Sequence, residues 1–170
     1  MKQRVVPFVQ AFIAGFTSTL VFHQGVLALL YLAGAVPRAP YDLRAVPPLG
    51  LPAVISLALW GGVWGAAIWS LLKHVGGAAY WVWAVVVGAI GPSAVALFIV
   101  YPLKGMPVAG GWDPTLVGTA LLLNGSWGLG VALWMRLLHH APSRGNAGTL
   151  HAPHLDRSEA KKSEVWAMKN

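Results

Sequence analysis

The sequence predicts an all-α integral membrane protein with four transmembrane helices, arranged as two parallel-repeat hairpins in a four-helix bundle. Three observations lead there. Only 10% of the 170 residues are charged while 56% are hydrophobic, against roughly 25% charged in an ordinary soluble domain. The apolar residues gather in long blocks instead of alternating with polar ones, as they do when the surroundings are lipid. All five acidic residues, Asp42, Asp113, Asp156, Glu159 and Glu164, lie outside those blocks, so no carboxylate has to enter hydrocarbon, where it would be costly.

The first block covers about 7–32 and ends at PRAPYDLRAVPPLGLP, whose five prolines prevent further helix. The next three cover 53–72, 80–103 and 115–138. Each is close to the ~20 residues that bridge ~30 Å of hydrocarbon. A secretory leader is the rival reading of the first block, since MKQR resembles a basic leader and Ala33-Gly34-Ala35 a cleavage site. The apolar run is too long for one and carries His23 and Gln24, so it is read as a span. The domain organisation is therefore a transmembrane domain, 1–140, and a polar cytoplasmic tail, 141–170. That tail has little to pack, apart from a possible short helix at 158–169 with Trp166 as an interfacial anchor.

Charge sets the expected orientation. Lys2, Arg4, Lys73, Arg136, Arg144, Arg157, Lys161, Lys162 and Lys169 flank one side, against Arg38, Arg44 and Lys104 on the other. The richer side is expected to be cytoplasmic, which places both termini inside and the protein in a cell inner membrane. The net charge of +7 does not imply nucleic acid, because the basic residues are dispersed with no basic helix or aromatic ladder. There is no cysteine, which excludes disulfides and thiolate metal sites. Trp69, Trp81, Trp83 and Trp134 suit one interfacial belt, and Tyr41, Tyr101 and Trp112 the other.

The second and fourth blocks repeat a phrase, Gly62-Val63-Trp64-Gly65 before Lys73 and Gly125-Ser126-Trp127-Gly128 before Arg136. More weakly, Ala14-Gly15-Phe16-Thr17-Ser18 overlays Ile90-Gly91-Pro92-Ser93-Ala94. A preserved order of two spans per unit implies parallel repeats about an axis along the membrane normal, with the second and fourth helices facing each other. Gly61 and Gly65 form a small-xxx-small pair, and Gly125 and Gly128 a flat face. Such faces serve helix packing, within the chain or between copies.

Counting ~1.5 Å per residue brings His23, Gln24, Ser56, Ser93 and Asn124 to similar depth, as one intramembrane polar layer. An intramembrane His is a functional candidate and can titrate near neutrality; the alternative is an interhelical hydrogen bond. Pro92 removes a backbone donor and predicts a kink in the third helix. Trp60, Trp64 and Trp127 fall inside the spans, outside both belts, and read as an aromatic lining. Asp113 with Pro114 reads as a helix cap.

No catalytic residue, cofactor or metal is expected. His23 has no partner His at its depth for haem, and the tail histidines His139, His140, His151 and His154 lack a rigid donor set. Walker, nucleophile-elbow and HExxH motifs are absent. The expected partners are the lipid bilayer and either further copies or a larger membrane complex. Three functions fit: a structural or accessory subunit, a small oligomeric transporter or channel using the His23 layer, or an enzyme acting on lipid or quinone. An enzyme fits least, because His23 lacks a second titratable group.

Overall fold

The computed structural model describes residues 2–140, with side chains from Val5 to Leu138. The tail expected at 141–170, with its short helix, and the side chains of His139 and His140 lie outside the described residues. The described chain is mostly helical. Four helices are long and apolar enough to cross a membrane: Val5–Leu32, Ala53–Leu72, Gly77–Leu103 and Pro114–Leu138. They are called spans one to four below. Their boundaries lie within three residues of the expected blocks. The third starts earlier than expected, at Gly77, whose φ of 61° marks the turn into the helix, with Ala78 and Ala79 helical before Tyr80.

Two of the spans are not uniformly α-helical. Thr19–His23 in span one and Ala96–Val100 in span three are wound as π-helix. In each, a backbone N–H reaches back five residues: Gln24 donates to the Thr19 carbonyl, and Tyr101 to the Ala96 carbonyl. Pro92 itself lies within continuous helix, with the π-helical turn beginning four residues after it.

The first loop, 33–52, is built to start span two. Ala45–Val46 and Leu51–Pro52 form a two-residue antiparallel ladder, with Ala45 opposite Pro52 and Val46 opposite Leu51. The N–H of Ala53 donates to the Arg44 carbonyl at 2.9 Å, and that of Val54 to the Asp42 carbonyl at 3.0 Å. These carbonyls satisfy donors that a helix start otherwise leaves open. Asp42 is held by Arg44, whose guanidinium forks onto both carboxylate oxygens and whose backbone N–H adds a further bond at 2.9 Å. The side-chain and backbone hydrogen bonds from Arg44 hold the Asp42 carboxyl well below the usual range, and Asp42 in turn raises Arg44.

The second loop, 104–113, contains a left-handed turn. Ala109, Gly110, Gly111 and Trp112 all have positive φ, from 52° to 73°. Glycine occupies that region freely, but each L side chain there costs about 1–2 kcal/mol. Ala109 and Trp112 therefore carry strain that the packing around them must offset. Asp113 then caps span four as expected: its carboxylate accepts the Thr115 N–H at 2.8 Å and its carbonyl the Val117 N–H at 3.0 Å.

Span one packs antiparallel on span two, and span three on span four; span four also packs on span one, and span two on span three. The second and fourth helices, expected to face each other, are not a principal packing pair. Each lies instead against the first helix of the other hairpin, because their tryptophans reach sideways across that boundary. The buried core gathers Ala11, Ala14, Ile68, Leu72, Tyr80, Ala84, Trp127, Val131, Ala132 and Met135, with Trp64, Trp69, Trp81 and Trp134 packed on it.

Candidate functional site

The closest approaches in the fold are two glycine seams. In the first hairpin, Gly65 lies so near the Ala11 carbonyl and the Gly15 backbone that a β-carbon on it would collide with both; one on Gly15 would strike Gly61 and Gly65. In the second hairpin, a β-carbon on Gly128 would meet the Ala84 carbonyl and the Gly88 backbone. Matched by packing, Ala11 and Gly15 correspond to Ala84 and Gly88, each pair four residues apart. That register is one helical turn away from the letter-based overlay of Gly15 on Gly91. Gly61 also lies in the seam, under Thr19, whereas Gly125 meets only Ala89 and Val85 at ordinary van der Waals distance. The glycines expected to pack helices therefore do so within the chain. With Gly15 and Gly65 in mutual backbone contact, that face is not available to a second copy.

The polar residues expected in one layer form two separate pairs. Asn124 Nδ2 donates to Ser93 Oγ at 2.9 Å, linking spans four and three. His23 Nδ1 lies 3.4 Å from Gln24 Nε2, which donates to it when Nδ1 is unprotonated. No hydrogen bond joins the two pairs among the described residues, and Ser56, half-buried in span two, bonds to neither. Gln24 is buried and faces the first loop: its Oε1 accepts the Tyr41 N–H at 2.7 Å. The Tyr41 hydroxyl donates to the Leu20 carbonyl at 2.9 Å. Tyr41 holds a positive φ of 54° to make both bonds, strapping the loop across the π-helical turn of span one.

The three tryptophans of the expected lining do not line one surface. Trp60 is 64% exposed and faces outward from the described fold. Trp64 lies against Gly91 of span three. Trp127 is buried, and its indole N–H donates to the Gly15 carbonyl at 2.9 Å. That carbonyl also accepts the Thr19 hydroxyl at 3.0 Å. Trp64 and Trp127 share a position in the repeated phrase, and each crosses to a glycine on the first helix of the opposite hairpin. An aromatic lining is thus replaced by two inter-hairpin contacts and one outward ring: Trp60 and Trp64, four residues apart, share a face of span two, but Trp64 meets Gly91 of span three while Trp60 stays exposed.

Other polar groups are satisfied along their own helices: Thr17 by the Ile13 carbonyl, Ser70 by that of Ala66, Ser126 by that of Leu123. Tyr80 donates to the Ala132 carbonyl at 3.2 Å, and the Arg136 guanidinium stacks 4.7 Å over its ring. Among the described residues, the buried atoms Ser18 Oγ and Trp134 Nε1 have no hydrogen-bond partner. No group of three or more metal-ligating side chains occurs among the described residues.

Gly88 is not singled out by the sequence, and Gly15 and Tyr41 enter it only as part of the overlay on Gly91 and of an interfacial belt, not in the roles they hold here. Gly15 and Gly88 carry the signal of a small residue four positions before them. Tyr41 carries none, because its partner lies 17 residues away across an irregular loop. Between spans three and four, beneath the left-handed turn, is a cavity of about 140 Å³ bounded by Ile90, Ser93, Leu97, Trp112, Val117 and Leu121, among others. Compared with known protein families, curated proteins and solved structures, the chain matches none.

Proposed function

We propose that this chain is a multi-pass inner-membrane protein serving as a structural or accessory subunit of a membrane assembly. In this reading the four spans form a bundle of two duplicated hairpins. Both termini are cytoplasmic, with the loops carrying Arg38, Arg44 and Lys104 outside, as the distribution of basic residues favours. The observation that carries the reading is the pair of glycine seams. Backbone-to-backbone contact at Ala11, Gly15 and Gly65, matched at Ala84, Gly88 and Gly128, makes each hairpin stiff. Trp127 on Gly15 and Trp64 on Gly91 join them in the same sense, which supports a duplication. Such a unit suits a role in holding partners against its large exposed apolar perimeter, which includes Val21, Leu29, Trp60, Val63, Ile90 and Leu122.

The test is native mass spectrometry after extraction from the host membrane in mild detergent. A second protein at fixed stoichiometry is the expected result. A homogeneous lone species would count against an accessory role.

A transporter or channel is the second reading, favoured by the π-helical turns in spans one and three. Such turns widen a helix and recur at functional sites. His23 sits on the first of them, so this reading expects solute flux in proteoliposomes that His23→Ala abolishes while the fold persists.

A further inference from the structure

The cavity between spans three and four differs from the rest of the packing, where glycine draws the helices into contact. Its walls are Ile90, Ala94, Leu97 and Phe98 on span three and Val117 and Leu121 on span four. Ser93 also borders it, but the Ser93 hydroxyl is engaged by Asn124 Nδ2 at 2.9 Å, so the cavity is lined by hydrocarbon. Ile90, Phe98 and Leu121 are exposed large apolar residues, so the cavity opens sideways between the two helices. At the second-loop end it is roofed by the left-handed turn. Ala109 is buried in that roof, and the Trp112 ring stands edge-on to Phe98 with centroids 5.8 Å apart.

We infer that this cavity is a binding site for a lipid acyl chain, entered laterally from the leaflet nearest the second loop. The inference rests on the membrane reading above. In that setting the medium at the opening is acyl chain, and a cavity lined by aliphatic and aromatic side chains, its one hydroxyl engaged by Asn124, offers little to a polar solute. The size fits a segment of a chain: an apolar cavity of ~150 Å³ admits benzene, so about six carbons fill this one. The roof sets the depth of entry. Two non-glycine residues held at positive φ cluster at this cavity, as strained backbone does at ligand clamps, and Trp112 closes over the chain at the level where aromatic rings meet headgroups.

The experiment reconstitutes the full chain in vesicles of phosphatidylcholine and phosphatidylglycerol, 3:1 as an order-of-magnitude composition, containing a phosphatidylcholine with a photoreactive diazirine on one acyl chain. Cross-linked sites are then mapped by peptide mass spectrometry. Adducts should concentrate several-fold on Leu97, Phe98, Val117 and Leu121 over freely exposed residues such as Leu29 and Val63. Ala94→Phe, and separately Val117→Phe from the facing helix, should each fill the cavity and remove that excess while leaving adducts at Leu29 and Val63. Even labelling of all exposed apolar positions, or an excess that survives both substitutions in folded protein, would overturn the acyl-chain site alone. No adducts on any span would overturn the membrane reading as well.

Discussion

At the residue scale, the fold depends most on positions with no side chain at all. Gly65 faces the Ala11 carbonyl at a distance no β-carbon tolerates, so Gly65→Val should lower stability by about 3 kcal/mol or more, the upper part of the range for overpacking. Gly25 has nothing near it, and Gly25→Ala should leave stability unchanged or raise it by up to ~1 kcal/mol through helix propensity. Thermal unfolding of the two variants in the same detergent checks the opposite signs. The Asn124 to Ser93 bond is a smaller effect. Interhelical hydrogen bonds of this kind average ~0.6 kcal/mol, and a double-mutant cycle of Asn124→Ala and Ser93→Ala should return a coupling of that order. Coupling between Asn124 and His23 should be near zero, since they belong to different pairs.

Asp42 gives the residue scale a pH dependence. Its folded pKa is depressed by Arg44, so its contribution to holding the first loop is present above the unfolded value of ~3.9. That contribution is lost only as pH falls through the lower folded value. Carboxyl carbon NMR should find Asp42 still ionised at about pH 3, below the ordinary carboxylate midpoint. In Arg44→Ala its midpoint should rise toward the ordinary value but stay below it, because the backbone N–H of residue 44 still donates to the carboxylate.

At the element scale, the four apolar helices are legible in the sequence because each is a run of ~20 uncharged residues between proline, glycine and charged flanks. The cap at Asp113 is equally legible, since Asp-Pro before an apolar run is a local chemical signature. Asp113→Ala should therefore weaken span four at its start by about 1 kcal/mol. The measurable consequence is faster amide exchange at Thr115 and Val117, with the seam at Gly128 unaffected. The π-helical turns are not legible in the same way. Nothing in TLVFH or ALFIV distinguishes them from ordinary helix; the extra residue is selected by what packs beside it. The same holds for the Tyr41 strap and the left-handed turn at Ala109 and Trp112, where tertiary contacts hold non-glycine residues at positive φ.

At the scale of the whole molecule, composition speaks for the surroundings and much less for the interior. Depth counting brings His23, Gln24, Ser56, Ser93 and Asn124 to a common level, but depth leaves azimuth open, and residues at one level can face different neighbours. That is why they resolve into an Asn124–Ser93 link between helices and a His23–Gln24 pair that anchors the first loop, with Ser56 in neither. The glycine phrases at Gly62–Gly65 and Gly125–Gly128 are visible in the letters, while their partners, Gly15 and Gly88, emerge only when the seams are seen together. Duplication, orientation and a role in holding partners all rest on the four spans lying across a bilayer with the basic flanks on one side.

The absence of cysteine makes that central claim directly measurable. Single cysteines placed at three exposed positions, Arg38→Cys, Lys73→Cys and Lys104→Cys, can be probed in intact cells with a membrane-impermeant maleimide. The account predicts that Arg38→Cys and Lys104→Cys label from outside, and that Lys73→Cys labels only after permeabilisation. Labelling of all three in intact cells, or of Lys73→Cys together with only one loop position, would contradict it.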